Sequence, residues 1–401
     1  MRLHLPDPPH PTVPPLTDVR VVEFCQVLAG PFCGCLLADL GADVIKVESP
    51  DGGDIMRAWP PIVDGYSQYF ASVNRNKRSV ALDLKSPAGR DAARALALSA
   101  DIVLENFRPG VMAKFGLDYP TLARAKPQLV YCSVSAFGQT GPRATEGGFD
   151  MTVQAMSGVM SVTGEPDGRP VKCGIPIADF TAGLYAAFAV TAALNKVRRG
   201  EAGEHIDVAM LGAMLGIANL QTSEYFATGR DPVKLGSAHP MNAPYAAFRC
   251  RDGHFALAAG NDKLWRATCE AIGRTDFAAD PRFASPALRA QNQGALRDAL
   301  EPEFARFTAQ EILAALNARG VPCAPLNTYS QVLADPQVAH MQWVQPVTLP
   351  NAVATRTVVS PMHFGGEPVS VYRDPPALGE HTAEVLAELG LAPHRSEESR
   401  R

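Results

Sequence analysis

The sequence predicts an α/β protein: a large domain on a Rossmann-like parallel sheet, followed by a smaller α+β domain. Three observations predict this. Short apolar strands alternate with helices from residue 19 to residue 135, the pattern of a parallel sheet covered on both faces. The chain has 401 residues, too many for one simple core. The alternation then stops, and a hairpin signal at Asp252-Gly253 opens a helix-rich stretch.

The elements follow in order. Residues 1–16 are rich in proline and read as a flexible arm with no apolar signal-peptide core. Val19–Phe24 is a strand, Ala29-Gly30-Pro31 a turn, and Phe32–Leu40 a helix closed by Gly41. Asp43–Glu48 and Ser79–Leu84 are strands, and Pro87–Ser99 is a helix. Asp101–Glu105 and Leu129–Ser135 complete the alternation. The loops at 26–31, 106–110 and 136–142 all follow strands, so they gather on one sheet edge, where such folds bind ligands. An apolar strand-like run, Gly174–Ala178, then leads to a small-residue helix over 181–198. Tyr245–Cys250 and His254–Ala259 form the hairpin, and 264–319 is helical. After Pro322 and Pro325 the chain becomes irregular. The implied organisation is the arm 1–16, a large domain 17–225, a small domain 226–325, and a return segment 326–401 packing on the large domain.

Composition narrows the function. Hydrophobic residues make up 46% and charged residues 19%, ordinary for a globular enzyme. A net charge of -4 argues against a general nucleic-acid or membrane-surface binder. The apolar stretch 184–194 is short and Ala-rich, so it reads as a buried helix rather than a bilayer span. The eight cysteines are scattered without a CxxC pair and suit buried thiols in a reducing compartment, the cytoplasm. Cys33-Gly34-Cys35 lacks zinc spacing and a histidine partner, so no metal site is expected. No GxGxxG follows the first strand and no GxxxxGK[ST] occurs, which weakens dehydrogenase and NTPase readings.

Candidate chemistry collects in a few segments. Asp179 stands where the strand-like run meets the long helix. At a helix start, backbone N–H groups and the dipole favour an ionised carboxylate. Such a group either caps the helix or, in a dry cleft, serves as a nucleophile. Arg75 and Lys77, in the basic run 74–78, are a solvated loop or phosphate donors. Asn106, Phe107 and Lys114 offer an amide, an aromatic face and a cation, a set that suits an adenine ring and a pyrophosphate.

Several segments, in order, resemble the family III CoA-transferases of the CaiB/BaiF type along nearly the whole chain. They are 28–31 with 37–48, Gly53-Asp54 with Arg57, 74–84, 105–110 and Gly138-Gln139-Thr140-Gly141-Pro142. Ala178-Asp179, 320–325 and Leu378-Gly379-Glu380-His381-Thr382 complete the set. The resemblance implies that Asp179 attacks an acyl-CoA thioester to give a mixed anhydride and CoA thiolate. The thiolate returns to form an enzyme–CoA thioester, and an acceptor carboxylate collects the CoA. CoA thioester is thus a substrate, and no permanently bound cofactor is implied. Backbone N–H groups near Ala29 and Gly30 would stabilise the oxyanion. Val27, Asn106, Phe107 and Lys114 match CoA-contacting positions, with Arg75 and Lys77 as further phosphate candidates.

The family also holds racemases of 2-methylacyl-CoA, which place a histidine where this chain has Phe149, in Gly148-Phe149-Asp150. Phenylalanine cannot exchange a proton, which favours transfer over racemisation. Trp59 resembles the formyl-CoA:oxalate transferases, yet their glycine-rich lid is absent from 236–244. That segment looks more like members handling succinyl-CoA and dicarboxylic acids, and His239 and Asn242 are candidates for the distal carboxylate, or else part of a plain loop. The resemblance implies an interlocked homodimer, without nucleic-acid or membrane partners. The reading is a CoA-transferase acting on a short acyl-CoA, with succinyl-CoA the leading donor, and a carboxylic acid, foremost a dicarboxylate. A racemase and a non-catalytic CoA- or nucleotide-binding protein are the alternatives.

Overall fold

The computed structural model describes residues 13–391, so most of the expected arm lies outside the described residues. The chain divides into two compact units. The first takes residues up to 157, 174–222 and 336 onward; the second takes 158–173 and 223–335.

In the first unit the elements are β1 (Arg20–Phe24), α1 (Ala29–Asp39), β2 (Asp43–Glu48), β3 (Lys77–Ala81), α2 (Pro87–Ser99), β4 (Ile102–Glu105), β5 (Val130–Ser135), α3 (Asp150–Met156), α4 (Ile177–Arg198) and β6 (His205–Ala209). The six strands form one parallel sheet in the order β3-β2-β1-β4-β5-β6. This order reverses direction between β1 and β4, and such a switch point opens a crevice beyond the strand ends. Val22, Phe24, Val103 and Tyr131 pack on one face with Leu96 and Leu122. On the other side of the sheet, α1 and α4 pack against each other, and α4 also meets β5.

Three elements differ from the sequence expectation. Helix α1 begins at Ala29 rather than Phe32, and Pro31 lies in its first turn. Proline is tolerated there because first-turn N–H groups lack helical partners anyway. Strand β3 begins at Lys77, two residues early, because the Lys77 ammonium turns inward onto buried Glu23 instead of into water. Helix α4 begins at Ile177, so Gly174–Pro176 is not a strand. With 22 residues, α4 is long and apolar enough by composition to cross a bilayer, contrary to the shorter run expected. Its packing on α1, α3 and β5 buries part of that apolar surface, while Leu184 and Phe188 stay exposed.

The return segment closes on the β3 edge. Asn76 Oδ1 accepts the N–H groups of Tyr372 and Arg373 at 2.8 and 3.0 Å. Ser79 Oγ accepts Gly379 N–H at 2.9 Å, and Thr382 Oγ1 accepts Ala81 N–H at 3.0 Å. These bonds explain the 378–382 motif: it covers strand groups that would otherwise be an open edge.

The second unit holds the hairpin β7 (Tyr245–Cys250) and β8 (Gly253–Ala258), extended by β9 (Cys323–Pro325) in the antiparallel order β9-β8-β7. Phe248, Phe255, Trp265, Phe304 and Ile312 form its core. Residues 158–173 belong here, not to the large domain as the expected boundaries had it. Gly236 N–H bonds the Gly164 carbonyl at 3.0 Å, and Lys234 Nζ bonds that of Gly168 at 2.9 Å.

Candidate active site

Asp179 occupies the third position of α4, inside the helix rather than before it. It is not the cap. The N–H of Ala178 is taken by Asp150 Oδ1, from the start of α3, at 2.9 Å. Asp150 Oδ2 is held by Gln154 Nε2 at 2.7 Å. Among the described residues the Asp179 carboxylate makes no hydrogen bond or ion pair, which leaves it available for chemistry. Burial, and secondarily the negative charge of Asp150, push its carboxyl up to about 7. The sequence-based expectation that the helix start favours ionisation is therefore corrected: desolvation outweighs the dipole.

One turn beyond Asp179, Gly183 lets α4 approach the beginning of α1. A Cβ there would fall 2.7 Å from the Ala29 carbonyl oxygen and 2.9 Å from the Phe32 ring. The rings of Phe180 and Phe32 meet edge to face at 4.8 Å. The nucleophile candidate thus belongs to a helix pressed against the α1 N-terminus, where Ala29 and Gly30 supply first-turn N–H groups.

The expected loop edge lies at the sheet's switch point. Asn106, directly after β4, accepts Gln26 N–H and donates to the Gln26 carbonyl, both at 2.8 Å. Phe107 follows, half-buried against the sheet core, with its N–H on Glu105 Oε2 at 2.9 Å. Lys114 is exposed and makes no ion pair among the described residues, so its charge is free for a phosphate. Val27 has φ +64°, a left-handed conformation rare for a β-branched residue. Trp59 is 38% exposed and Phe149 72% exposed.

Arg75 and Lys77 do not serve the phosphates. Arg75 is buried, with Nε and Nη2 on Asp39 at 3.0 and 2.6 Å and Nη1 on the Ser72 carbonyl at 2.8 Å. Lys77 is fully buried, its ammonium on both Glu23 oxygens at 2.9 and 3.0 Å, the Pro31 carbonyl at 2.8 Å and Asn74 Oδ1 at 3.1 Å. The Lys77 ammonium has no donor to spare and the Arg75 guanidinium is paired with Asp39, and a buried charge so paired is costly to withdraw. The basic run is internal structure, not a solvated loop.

His239 and Asn242 lie in the second unit. His239 Nδ1 accepts the N–H groups of Met241 and Asn242 at 3.1 and 3.2 Å. That fixes the neutral ring's proton on Nε2, which becomes its available donor. His205 is structural: its ring stacks on Tyr119 at 5.4 Å and bonds Ser133 Oγ at 2.9 Å.

Two functional candidates escaped the sequence reading. Asp150 stands next to Phe149, and an acidic side chain opening a helix is its only signal in the sequence. Glu105, at the end of β4, is buried, and desolvation pushes its carboxyl up to about 7. Only pairing within the sheet reveals it.

The profile of CoA-transferase family III matches residues 16–382. A succinate–glutarate CoA-transferase of Agrobacterium fabrum is 42% identical over 383 residues, covering 94% of this chain and 96% of that protein. A succinyl-CoA:mesaconate CoA-transferase of Haloarcula hispanica is 39% identical over 387 residues, covering 94% and 96%. The crystal structure of a CaiB/BaiF family protein from Brucella suis superposes with a TM-score of 0.84 at 40% identity, covering 94% of this chain and 99% of that one.

Proposed function

The chain belongs to CoA-transferase family III, and from that premise we propose that it moves CoA from succinyl-CoA to a dicarboxylic acid through Asp179. The observation that carries the mechanism is the unpaired, half-buried carboxylate of Asp179 beside the α1 N-terminus. Relatives acting on succinate, glutarate and mesaconate support the substrate class.

Ionised Asp179 attacks the thioester carbon; the C–S bond breaks, leaving an aspartyl mixed anhydride and CoA thiolate. The thiolate attacks the aspartyl carbon and expels the donor as its carboxylate. The acceptor carboxylate then attacks the aspartyl thioester, and the released thiolate takes the acceptor's acyl group, restoring Asp179. Each step develops an oxyanion, and the Ala29 and Gly30 N–H groups, unpaired in the first turn of α1, are the donors we assign to it. Val27, Asn106 and Phe107 hold the CoA, with Lys114 on its phosphates. Trp59 and Phe149 border the acyl group, and the likeness of 236–244 to dicarboxylate-handling members makes His239 and Asn242 our candidates for the distal carboxylate. Phe149 has no acid–base group, so racemisation is not favoured.

Asp179→Asn abolishes transfer, by several orders of magnitude, while CoA affinity persists. Hydroxylamine or borohydride trapping in the presence of succinyl-CoA labels Asp179. Full activity of the variant, or failure to trap, overturns the mechanism. Glutarate outperforms butyrate as acceptor about tenfold to a hundredfold in kcat/KM, because butyrate leaves a polar subsite unpaired. A butyrate preference, or unchanged glutarate use by His239→Ala, removes the dicarboxylate assignment alone. Six of the eight cysteines are buried in the core of the protein, which suits a reducing compartment, and we place the enzyme in the cytoplasm.

A further inference from the structure

We propose that Asp54 is a positioning residue for the loop after β1: its buried carboxylate holds Val27 in the left-handed conformation, and a buried chain of Lys46, Glu23 and Lys77 holds that carboxylate. This rests on the reading of Val27 as a CoA contact. The Gly53-Asp54 motif otherwise has no part in the transfer chemistry.

Asp54 is 1% exposed. Its two oxygens accept Val27 N–H at 3.1 and 3.2 Å, and Oδ1 also accepts Met56 N–H at 3.0 Å. Burial opposes its ionisation, yet Lys46 and the Met56 and Val27 N–H groups outweigh it and hold the carboxyl below its ordinary range. Lys46 Nζ stands 3.0 Å from Asp54 Oδ2 and donates to the Cys25 carbonyl at 2.7 Å and to Glu23 Oε1 at 3.3 Å. Lys77 completes the series on Glu23 and reaches the Pro31 carbonyl in the first turn of α1. Gly34 leaves room for this row, since a Cβ there would collide with the Glu23 carboxylate.

Three successive residues are therefore fixed from outside the loop: Cys25 by Lys46, Gln26 by Asn106, Val27 by Asp54. A β-branched residue with positive φ persists only where its surroundings over-determine it, and such strain collects at functional loops. Asp54 supplies that determination where the chain enters the α1 N-terminus.

The test is Asp54→Asn in the full chain, an isosteric change that removes the charge facing Lys46. Donor-CoA KM rises about tenfold, the effect of one lost charged contact, while acceptor KM stays within about twofold. Hydrogen exchange of peptides covering residues 25–30 accelerates. Val27→Gly alone sets the loss due to the missing side chain, and in that background Asp54→Asn raises donor-CoA KM by less than half the factor it causes beside Val27, because glycine adopts positive φ without strain. Equal losses for donor and acceptor, unchanged exchange, or an undiminished Asp54→Asn effect in the glycine background overturns the proposal. If Asp54→Asn alone fails to fold, the double variant decides: its folding supports the Val27 link, and its failure to fold overturns it. A wild-type chain without transferase activity sinks the functional reading instead, and the exchange measurement still reads the Asp54–Val27 link.

Discussion

Asp179 carries two consequences of one environment. Its carboxyl titrates near 7 in the folded chain, raised by burial and then by Asp150, against about 3.9 when unfolded. Between those values the folded state binds more protons, so stability falls as pH rises through the window. The full cost, roughly 1–3 kcal/mol after allowance for partial exposure, stands above pH 7. Asp179→Asn is therefore expected to melt higher than wild type at pH 8 and to gain nothing at pH 4. Equal melting shifts at both values contradict the assignment. The same titration limits catalysis: kcat/KM for acyl-CoA falls as pH drops through about 7. Asp150→Asn keeps an oxygen for the Ala178 N–H but loses the charge, so the acid limb moves to lower pH. The pH–rate profile checks this. At this scale the nucleophile was legible because its residues match a family segment. Its protonation was not, because burial and the Asp150 charge come from α3, outside the segment.

Among the elements, α4 and β3 teach the most. The α1–α4 contact depends on Gly183, and Gly183→Ala forces the Ala29 backbone or the Phe32 ring to move. A loss of about 1–3 kcal/mol is expected from such overpacking, read by chemical denaturation, with transfer slowed because Ala29 shifts. Unchanged stability would mean that the helices part without cost. Most strands and helices were legible from alternation alone, since β2 and α2 carry the expected boundaries. The start of β3 was not. A lysine reads as solvent-facing until a buried glutamate from β1 meets it, and β1 and β3 lie two strands apart. Lys77→Met leaves Glu23 facing Lys46 alone and is expected to cost about 3–5 kcal/mol. The loss appears in the denaturation midpoint, with acyl-CoA KM little changed in the folded fraction.

On the scale of the molecule, the first unit leaves an unusual amount of apolar surface open. Phe188 is 74% exposed, Leu184 54% and Leu220 74%. A groove of about 880 Å³ runs past Phe32, Phe180, Leu184, Phe188 and Val358. Such surface in a single chain is the mark of an interface, and it supports the proposed interlocked homodimer. Sedimentation over a wide concentration range is expected to show one dimeric species, because an obligate dimer has no stable folded monomer. A compact, active monomer refutes this. Phe188→Asp is expected to abolish soluble dimer rather than to alter kinetics alone.

The sequence by itself determined the alternating α/β plan, the hairpin of the second unit, the family and the aspartate at the head of α4. These are local or ordered along the chain, and a linear reading reaches them. Tertiary structure decided which charges face inward. Arg75 and Lys77 look like phosphate donors in a basic run, yet Asp39 and Glu23, brought from α1 and β1, consume them. It likewise decided that Asp150 and not Asp179 caps α4, and that Asp54 reaches Val27. In each case the deciding partner is 27 to 54 residues away in the chain. Charge pairing across that distance has no local pattern, because only the folded sheet sets the separation that makes a buried ion pair stable.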